Sequence, residues 1–205
     1  MRGGLDFDNT IVGYDMLFHQ VAREVGLIPQ DLPPYKLLVR EHLRRIGKED
    51  LWTEMQGLVY GARMAEAKAF AGVREFLRWA RAEGIELFIV SHKTQYPFLG
   101  PKYDLHAAAK RWIKQYLCDE DGPLIESENS FFELTKEEKC ARIAALECDW
   151  FLDDLPELLT SPAFPKHIVP LLFDPESNHV GTGLQTVKSW AALRDLIVSR
   201  WQHSR

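Results

Sequence analysis

The spacing of hydrophobic residues divides this chain into a helical segment near its beginning and an alternation of strands and helices after it. Residues 1–13 have the pattern of a short strand followed by a polar loop. Over residues 14–71, apolar positions recur at intervals of three and four residues, as they do in amphipathic helices, and prolines separate one helix from the next. We therefore predict that residues 14–71 form a helical insertion.

Strands and helices alternate from residue 72 onward. The run from Ile85 to Val90 is almost continuously apolar, as expected for a strand buried on both faces of a parallel sheet. Further elements are predicted as follows: helices over Gly72 to Ala82, 102–117, Thr135 to Leu146 (opened by a Thr135–Glu138 capping box) and Val187 to Trp201; strands over Ser130 to Leu134, Asp149 to Leu152 and Ile168 to Phe173. This order predicts an α/β fold, with a doubly wound, three-layer parallel sheet formed by residues 1–13 and 72–205 and a small all-helical insertion over 14–71.

Composition narrows the functional classes. Hydrophobic residues make up 46% and charged residues 27% of the 205 positions, which is ordinary for a globular protein. The net charge of −5 argues against a nucleic-acid partner, because phosphate backbones require clustered Lys and Arg. No stretch has the length and apolarity of a membrane span, and the beginning of the chain leaves no room for a signal peptide.

The number and spacing of the cysteines predict the redox environment of the protein. Cys118, Cys140 and Cys148 are an odd set without metal-ligand or redox spacing, so we expect reduced thiols and a cytoplasmic location. The sequence does not indicate an oligomeric state.

The candidate chemistry begins at Asp6 and Asp8, directly after the first strand. Residues two apart in an extended segment point to the same side, and two close carboxylates repel unless a proton or a cation lies between them. A hard divalent cation, of which Mg²⁺ is the natural choice, would satisfy both. A strand that runs into a polar turn would also have this composition, so the segment alone leaves both interpretations open.

Polar residues at other strand ends favour the metal. Ser91 follows the apolar strand, and Asp153 and Asp154 end a later one. Because ligand sites in open α/β sheets lie at the carboxyl ends of the strands, these groups should meet Asp6 and Asp8 there. Lys136 and Lys139, at the start of a helix, add positive charge. Carboxylates, a hydroxyl and an ammonium together suit a bound metal and a phosphoryl group.

The ordered motifs resemble those of the haloacid dehalogenase superfamily. They are Asp6-Phe7-Asp8-Asn9-Thr10, then Ser91, then Lys139, then Phe151-Leu152-Asp153-Asp154. The helical insertion between the first and second motifs resembles the cap that closes over the site in that superfamily. The resemblance covers the whole chain and implies a Rossmann-like catalytic core.

The resemblance implies a role for each catalytic candidate. Asp6 would attack phosphorus and form an aspartyl-phosphate. Asp8 would protonate the leaving oxygen and then deprotonate the hydrolytic water. Ser91 would bind a phosphoryl oxygen, and Lys139 would stabilise the nucleophile and the phosphoryl charge. Lys136 is nearer the helix start and is the alternative lysine.

The same resemblance implies the metal site. Asp154, with Asp153 beside it, would hold Mg²⁺ together with Asp6 and the backbone carbonyl of Asp8. Asn9 and His92 are further candidates for phosphate binding.

We therefore predict a Mg²⁺-dependent phosphate monoester hydrolase that acts through a phospho-aspartate on a small phosphorylated metabolite, such as a sugar phosphate or a nucleotide. Asp8 supports this choice, since the dehalogenases of the superfamily lack the second aspartate. Two alternatives remain: a phosphotransferase or mutase on the same scaffold, and a catalytically silent metal-binding regulatory module.

A few residues are left between a role at the pocket and a position at the solvated surface or in packing. Lys93 follows the second motif, and Tyr14 lies where the chain enters the insertion. His19, Tyr60 and Arg63, inside the insertion, fit packing or surface positions better than ligand contacts.

Overall fold

The computed structural model describes residues 1–201 of the chain. Hydrogen bonds join the strands of this part into one large sheet and two small antiparallel pairs. The strands are β1 (Arg2–Leu5), β2 (Val12–Gly13), β3 (Lys68–Ala69), β4 (Glu86–His92), β5 (Cys118–Asp119), β6 (Gly122–Pro123), β7 (Ser130–Glu133), β8 (Trp150–Asp153), β9 (Val169–Phe173) and β10 (Gln185–Val187).

The helices follow the hydrophobic periodicity closely, and most begin within three residues of the predicted positions. At the start of α6, the predicted capping box is present, because the Thr135 hydroxyl accepts a hydrogen bond from the Glu138 backbone and the Glu138 carboxylate accepts one from the Thr135 backbone. The helices are α1 (Asp15–Glu24), α2 (Lys36–Arg45), α3 (Glu49–Tyr60), α4 (Val73–Ala82), α5 (Leu105–Tyr116), α6 (Lys136–Ala145), α7 (Pro156–Leu159) and α8 (Trp190–Trp201).

The large sheet has six parallel strands in the order β10-β9-β8-β1-β4-β7. Its two faces are covered by separate hydrophobic clusters, one including Leu87 and Ile89 of β4 and the other Phe88 and Val90. Alternate residues of one strand therefore serve opposite cores, which is the three-layer α/β arrangement predicted from the sequence. The central strand β1 pairs with β4 on one side and β8 on the other, so the three motif-bearing strands are neighbours.

Two glycines in β1 have a packing reason. A Cβ atom on Gly3 would lie 2.1 Å from Cζ2 of Trp150, and one on Gly4 would lie 2.3 Å from Cδ2 of Phe151. Glycine normally weakens a strand, but here it leaves room for two large aromatic side chains of β8. The Phe151 ring then contributes to one core cluster and the Trp150 ring to the other.

The segment between β2 and β3 is helical, and its helices α1, α2 and α3 contact one another. Phe18 of α1 stacks on Trp52 of α3, with the ring centroids 4.7 Å apart. The antiparallel pair of β2 and β3 closes the base of this segment where it joins the sheet domain. That residues 14–71 act as a cap remains a prediction.

The structure differs from the sequence-based elements at a few places. Val187 belongs to the edge strand β10, where it pairs with Phe173 of β9, and α8 begins only at Trp190. Lys68 and Ala69 form β3 although the surrounding pattern is helical. Both short strands depend on a distant partner strand, which local periodicity does not reveal. No helix in residues 1–201 has the length and apolar character needed to cross a membrane.

Candidate active site

Asp6 lies immediately after β1, at the carboxyl edge of the sheet. Its backbone N–H donates to the Leu152 carbonyl of β8, so the chain is held against the neighbouring strand as it leaves the sheet. The Asp6 carboxylate is buried. Its Oδ1 atom accepts a hydrogen bond from the Ser91 hydroxyl at 3.0 Å and one from Lys139 Nζ at 2.6 Å. Side chains from three separate motifs therefore meet at one carboxylate oxygen.

Lys139 connects Asp6 to the fourth motif. Its Nζ atom also lies 2.6 Å from Asp153 Oδ2, and Asp153 accepts a second hydrogen bond from the backbone N–H of Leu155. Burial lowers the pKa of Lys139, but the carboxylates of Asp153 and Asp6 outweigh this effect, and the pKa is raised. The ammonium group is therefore charged at neutral pH.

The two candidate lysines of α6 have different surroundings. Lys136, one turn earlier than Lys139, is partly exposed and pairs with Glu157 at 3.3 Å. Among residues 1–201, it is Lys139 that contacts the site carboxylates. Lys139 remains the predicted phosphate-binding lysine.

Three carboxylates converge beside this lysine. Oxygen atoms of Asp6, Asp153 and Asp154 all lie within 4.8 Å of one another. The pKa of Asp6 is raised to about 7 because burial disfavours its charged form; Lys139 opposes this, while the charges of Asp153 and Asp8 add to it. Burial and the charge of Asp6 also raise the pKa of Asp154. The site therefore has more carboxylates than ammonium groups. Carboxylate oxygens are hard donors, so the site fits Mg²⁺.

The side chain of Asp8 lies apart from this cluster. Its Oδ1 atom accepts hydrogen bonds from the Tyr14 hydroxyl at 2.5 Å and from Lys93 Nζ at 3.0 Å, and Lys93 also lies 2.8 Å from Oδ2. Burial and the neighbouring Asp8 raise the pKa of Tyr14, so the phenol keeps its proton and donates it. Metal binding by Asp8 would therefore use its backbone carbonyl, as the sequence resemblance implies.

Asn9 and His92 occupy contrasting positions. Asn9 adopts a left-handed backbone conformation, with φ of 59°, which asparagine tolerates better than most residues. The His92 residue as a whole is exposed, but its ring is partly buried. This partial burial is the main reason why the pKa of His92 is lowered. The next residue, Lys93, is the one that reaches Asp8. Phosphate binding by Asn9 and His92 stays a prediction.

The helical segment contributes two residues that sequence reasoning did not assign to the site. Lys36 of α2 donates from Nζ to the Tyr60 hydroxyl at 2.8 Å, and Lys93 Nζ lies 4.4 Å from the centre of the Tyr60 ring. No local motif marks Lys36, because only the folding of α2 against α1 and α3 brings it near Asp8. By contrast, His19 binds the Leu32 carbonyl within the segment.

Arg63 also stays within the helical segment. Its guanidinium pairs with Glu24 and Glu66. Like the contact of His19, these pairs agree with the packing role predicted from the sequence.

Comparison with known proteins identifies the fold. No protein-family model matches the chain, and no curated protein sequence does. Solved structures match over nearly the full length. A haloacid dehalogenase family IA, variant 3 hydrolase from Entamoeba histolytica has a TM-score of 0.57 and 13% identity, with 93% of each chain covered.

Two further structures agree. A hydrolase of the same superfamily from Deinococcus radiodurans, with bound phosphate and sodium, has a TM-score of 0.56 and 17% identity, covering 97% of this chain and 95% of the other. A third, from Ehrlichia chaffeensis, has a TM-score of 0.53 and 16% identity over 97% and 96% of the two chains. The chain therefore has the fold of the haloacid dehalogenase superfamily hydrolases, as the ordered motifs predicted.

We expect Mg²⁺ to stabilise this protein more strongly as the pH rises through about 7. Metal binding requires ionised carboxylates and so competes with protons at Asp6, whose pKa is raised to about 7, and at Asp154, whose pKa is also raised. Below these pKa values, apparent affinity falls up to about tenfold per pH unit for each proton displaced. Thermal unfolding with and without Mg²⁺ at pH 6, 7 and 8 measures this trend.

The metal-free protein should show the opposite contribution from Asp6. Its folded-state pKa lies above the usual value of 3.8, so the folded state holds the proton more tightly than the unfolded state. The Asp6 contribution to stability therefore decreases as the pH rises from about 4 to about 7.

A Mg²⁺-induced shift in Tm that is equal at pH 6 and pH 8 would contradict metal binding at these carboxylates.

Proposed function

We propose that this protein is a Mg²⁺-dependent phosphate monoester hydrolase that forms a phospho-aspartate on Asp6. The observation that carries the proposal is the convergence, on one buried carboxylate, of a hydroxyl, an ammonium and two further carboxylates from distant parts of the chain. Each group matches a need of phosphoryl transfer, namely a nucleophile, donors for the phosphoryl oxygens and ligands for a cation.

We assign the attack on phosphorus to Oδ2 of Asp6, on the basis of the hydrogen bonds to this carboxylate. Among residues 1–201, the donors Ser91 and Lys139 both contact Oδ1, which leaves Oδ2 for the phosphorus atom. In the first step, a bond forms between this oxygen and phosphorus while the ester P–O bond breaks. Ser91 and Lys139 are placed beside the reacting carboxylate, where their donors would also meet phosphoryl oxygens.

Asp8 is the group for proton transfer. In the first step, its carboxyl group gives a proton to the leaving oxygen, and the alcohol departs. In the second step, Asp8 takes a proton from water as the water oxygen attacks phosphorus, and inorganic phosphate leaves Asp6. Tyr14 and Lys93 both donate hydrogen bonds to the Asp8 side chain, which fixes its orientation.

The metal would be held by Asp6, Asp153 and Asp154 together with the Asp8 carbonyl. When bound, Mg²⁺ supplies positive charge that offsets the phosphate charge and the repulsion among the carboxylates. The bound phosphate in the similar Deinococcus radiodurans structure supports an anion site on this fold. Lys36 and Tyr60, from the helical segment, reach the same region, which favours a small substrate enclosed between that segment and the sheet.

Release of inorganic phosphate from a panel of phosphorylated metabolites, measured with Mg²⁺ and with EDTA, tests the proposal. We expect turnover that requires the metal and yields free phosphate with the alcohol in equal amounts. Formation of a second phosphate ester in place of free phosphate would indicate a phosphotransferase or a mutase. Mg²⁺ binding without turnover of any ester would instead favour a silent regulatory module.

A further inference from the structure

Lys36 is a basic side chain in an unusual setting. It is the first residue of α2, and its backbone N–H donates to the Asp15 carboxylate at 2.6 Å. Its side chain is partly buried. The Nζ atom lies 5.3 Å from the centre of the Phe18 ring and 5.5 Å from that of Tyr60. Two aromatic rings therefore flank the ammonium group.

The ammonium group has a neutral hydrogen-bond partner instead of a carboxylate. Within the described residues, Nζ of Lys36 donates to the Tyr60 hydroxyl and lies within ion-pair distance of no carboxylate oxygen. In the same helical segment, Arg44 pairs with Glu49 and Arg63 with Glu24. A partly buried charge with no carboxylate in direct contact is incompletely neutralised, so an anion from outside the chain would complete this position.

The position lies on the side of the site where the leaving group belongs. Tyr60 contacts both Lys36 and Lys93, and Lys93 binds the Asp8 carboxylate. Asp8 is the proposed proton donor to the leaving oxygen, so the organic part of the substrate must extend past Asp8. Burial lowers the pKa of Lys36, but its contact with Tyr60 and the charges of Asp8 and Asp154 outweigh this effect, and the pKa is raised. The lysine is thus charged and close enough to respond to the site.

We propose that Lys36 binds a carboxylate on the leaving-group part of the substrate, so that the preferred substrate is a small phosphorylated hydroxy acid. This inference rests on the proposed function. Lys36 would supply the positive charge. The Tyr60 hydroxyl accepts a hydrogen bond from Lys36, so its own proton can be donated to the substrate carboxylate. The partly exposed ring of Tyr60 would contact the short carbon chain.

The test compares phosphorylated hydroxy acids of two to four carbons with their primary amides, which differ in charge but hardly in shape. For the wild-type protein, we expect kcat/KM to be roughly 10- to 100-fold higher for the best acid than for its amide, in line with a hydrogen bond to a charged group. Lys36→Met should remove this preference by lowering kcat/KM for the acid alone, and Lys36→Arg should retain much of it.

Lys48→Met is the matched control, since it removes the same charge from an exposed position in the same helical segment. It should leave the preference unchanged. Wild-type turnover without preference for the acids, or an equal loss for acid and amide in Lys36→Met, would overturn the proposed role of Lys36 and leave the hydrolase proposal standing.

A binding measurement separates this inference from the proposed function. Non-hydrolysable phosphonocarboxylates and their amides can be titrated calorimetrically into the wild-type and Lys36→Met proteins in the presence of Mg²⁺. Tighter binding of the acid that depends on Lys36 supports the carboxylate site even if no ester is turned over. Equal affinity for acid and amide in the wild-type protein refutes it.

Discussion

Asp6→Asn should reduce kcat for phosphate ester hydrolysis by at least about a thousandfold while leaving the protein folded. Asparagine has nearly the same shape, and its oxygen can still accept hydrogen bonds from Ser91 and Lys139, which both contact Oδ1 of Asp6. It lacks the negatively charged oxygen that would attack phosphorus. Steady-state phosphate release, together with thermal unfolding to verify folding, measures the effect.

A second measurement on the same variant does not depend on turnover. Beryllium fluoride forms a phosphoryl-like adduct with a reactive carboxylate, so with Mg²⁺ it should raise the Tm of the wild-type protein and not that of Asp6→Asn. Asp149→Asn is the matched control, because Asp149 lies just before β8, at the opposite edge of the sheet, where it accepts a hydrogen bond from the Arg2 backbone. Wild-type activity in Asp6→Asn would disprove the proposed nucleophile.

Lys139→Met should lower both stability and activity. The substitution leaves Asp6 and Asp153 buried without the ammonium group that now lies 2.6 Å from each. Removal of one partner from a buried ion pair typically costs about 3–5 kcal/mol. The pKa of Lys139 is raised in the folded state above its usual value of 10.5, so its stabilising contribution is fully present at neutral pH and falls as the pH rises from about 10.5 through the raised pKa. Urea unfolding at pH 7 in EDTA measures the loss.

Lys136→Met is the control for this variant, since it removes the same charge three residues earlier on α6. Lys136 is partly exposed and pairs with Glu157 at the surface, so the change should cost less than about 1 kcal/mol. Activity should also separate the two variants, with a large loss for Lys139→Met and little for Lys136→Met. Equal losses in both would show that Lys136 shares the role predicted for Lys139.

Much of the architecture follows from local sequence patterns. The apolar run before Ser91 predicted the buried strand β4, and the Thr135–Glu138 capping box predicted the start of α6; the structure contains both. Local patterns succeeded here because a buried strand and a helix N-terminus are determined mainly by residues close in sequence. The edge strand β10 was missed, since its pairing with β9 depends on residues distant in the chain.

In the candidate site, the difference between what the sequence predicts and what only the structure reveals is clearer still. Sequence order indicated that Asp6, Ser91 and the Asp153–Asp154 pair belong together, because the carboxyl ends of parallel strands share one edge, and the family resemblance favoured Lys139 over Lys136. The sequence could not tell whether the side chain of His92 or that of Lys93, which both follow Ser91, points towards the site. In the structure, Ser91 and Lys93 are buried and His92 between them is exposed, as the alternation of side chains along an extended segment requires.

The sequence by itself determined the class of fold, the strand ends that carry the polar groups and the chemical character of those groups. These depend on residue types and spacings that act over one element at a time. Only the tertiary structure decided that Lys139 contacts Asp6, that Lys93 and Tyr14 hold Asp8, and that Lys36 faces the same region from α2. Such contacts join residues far apart in the chain, and their geometry depends on how helices pack against the sheet and against one another.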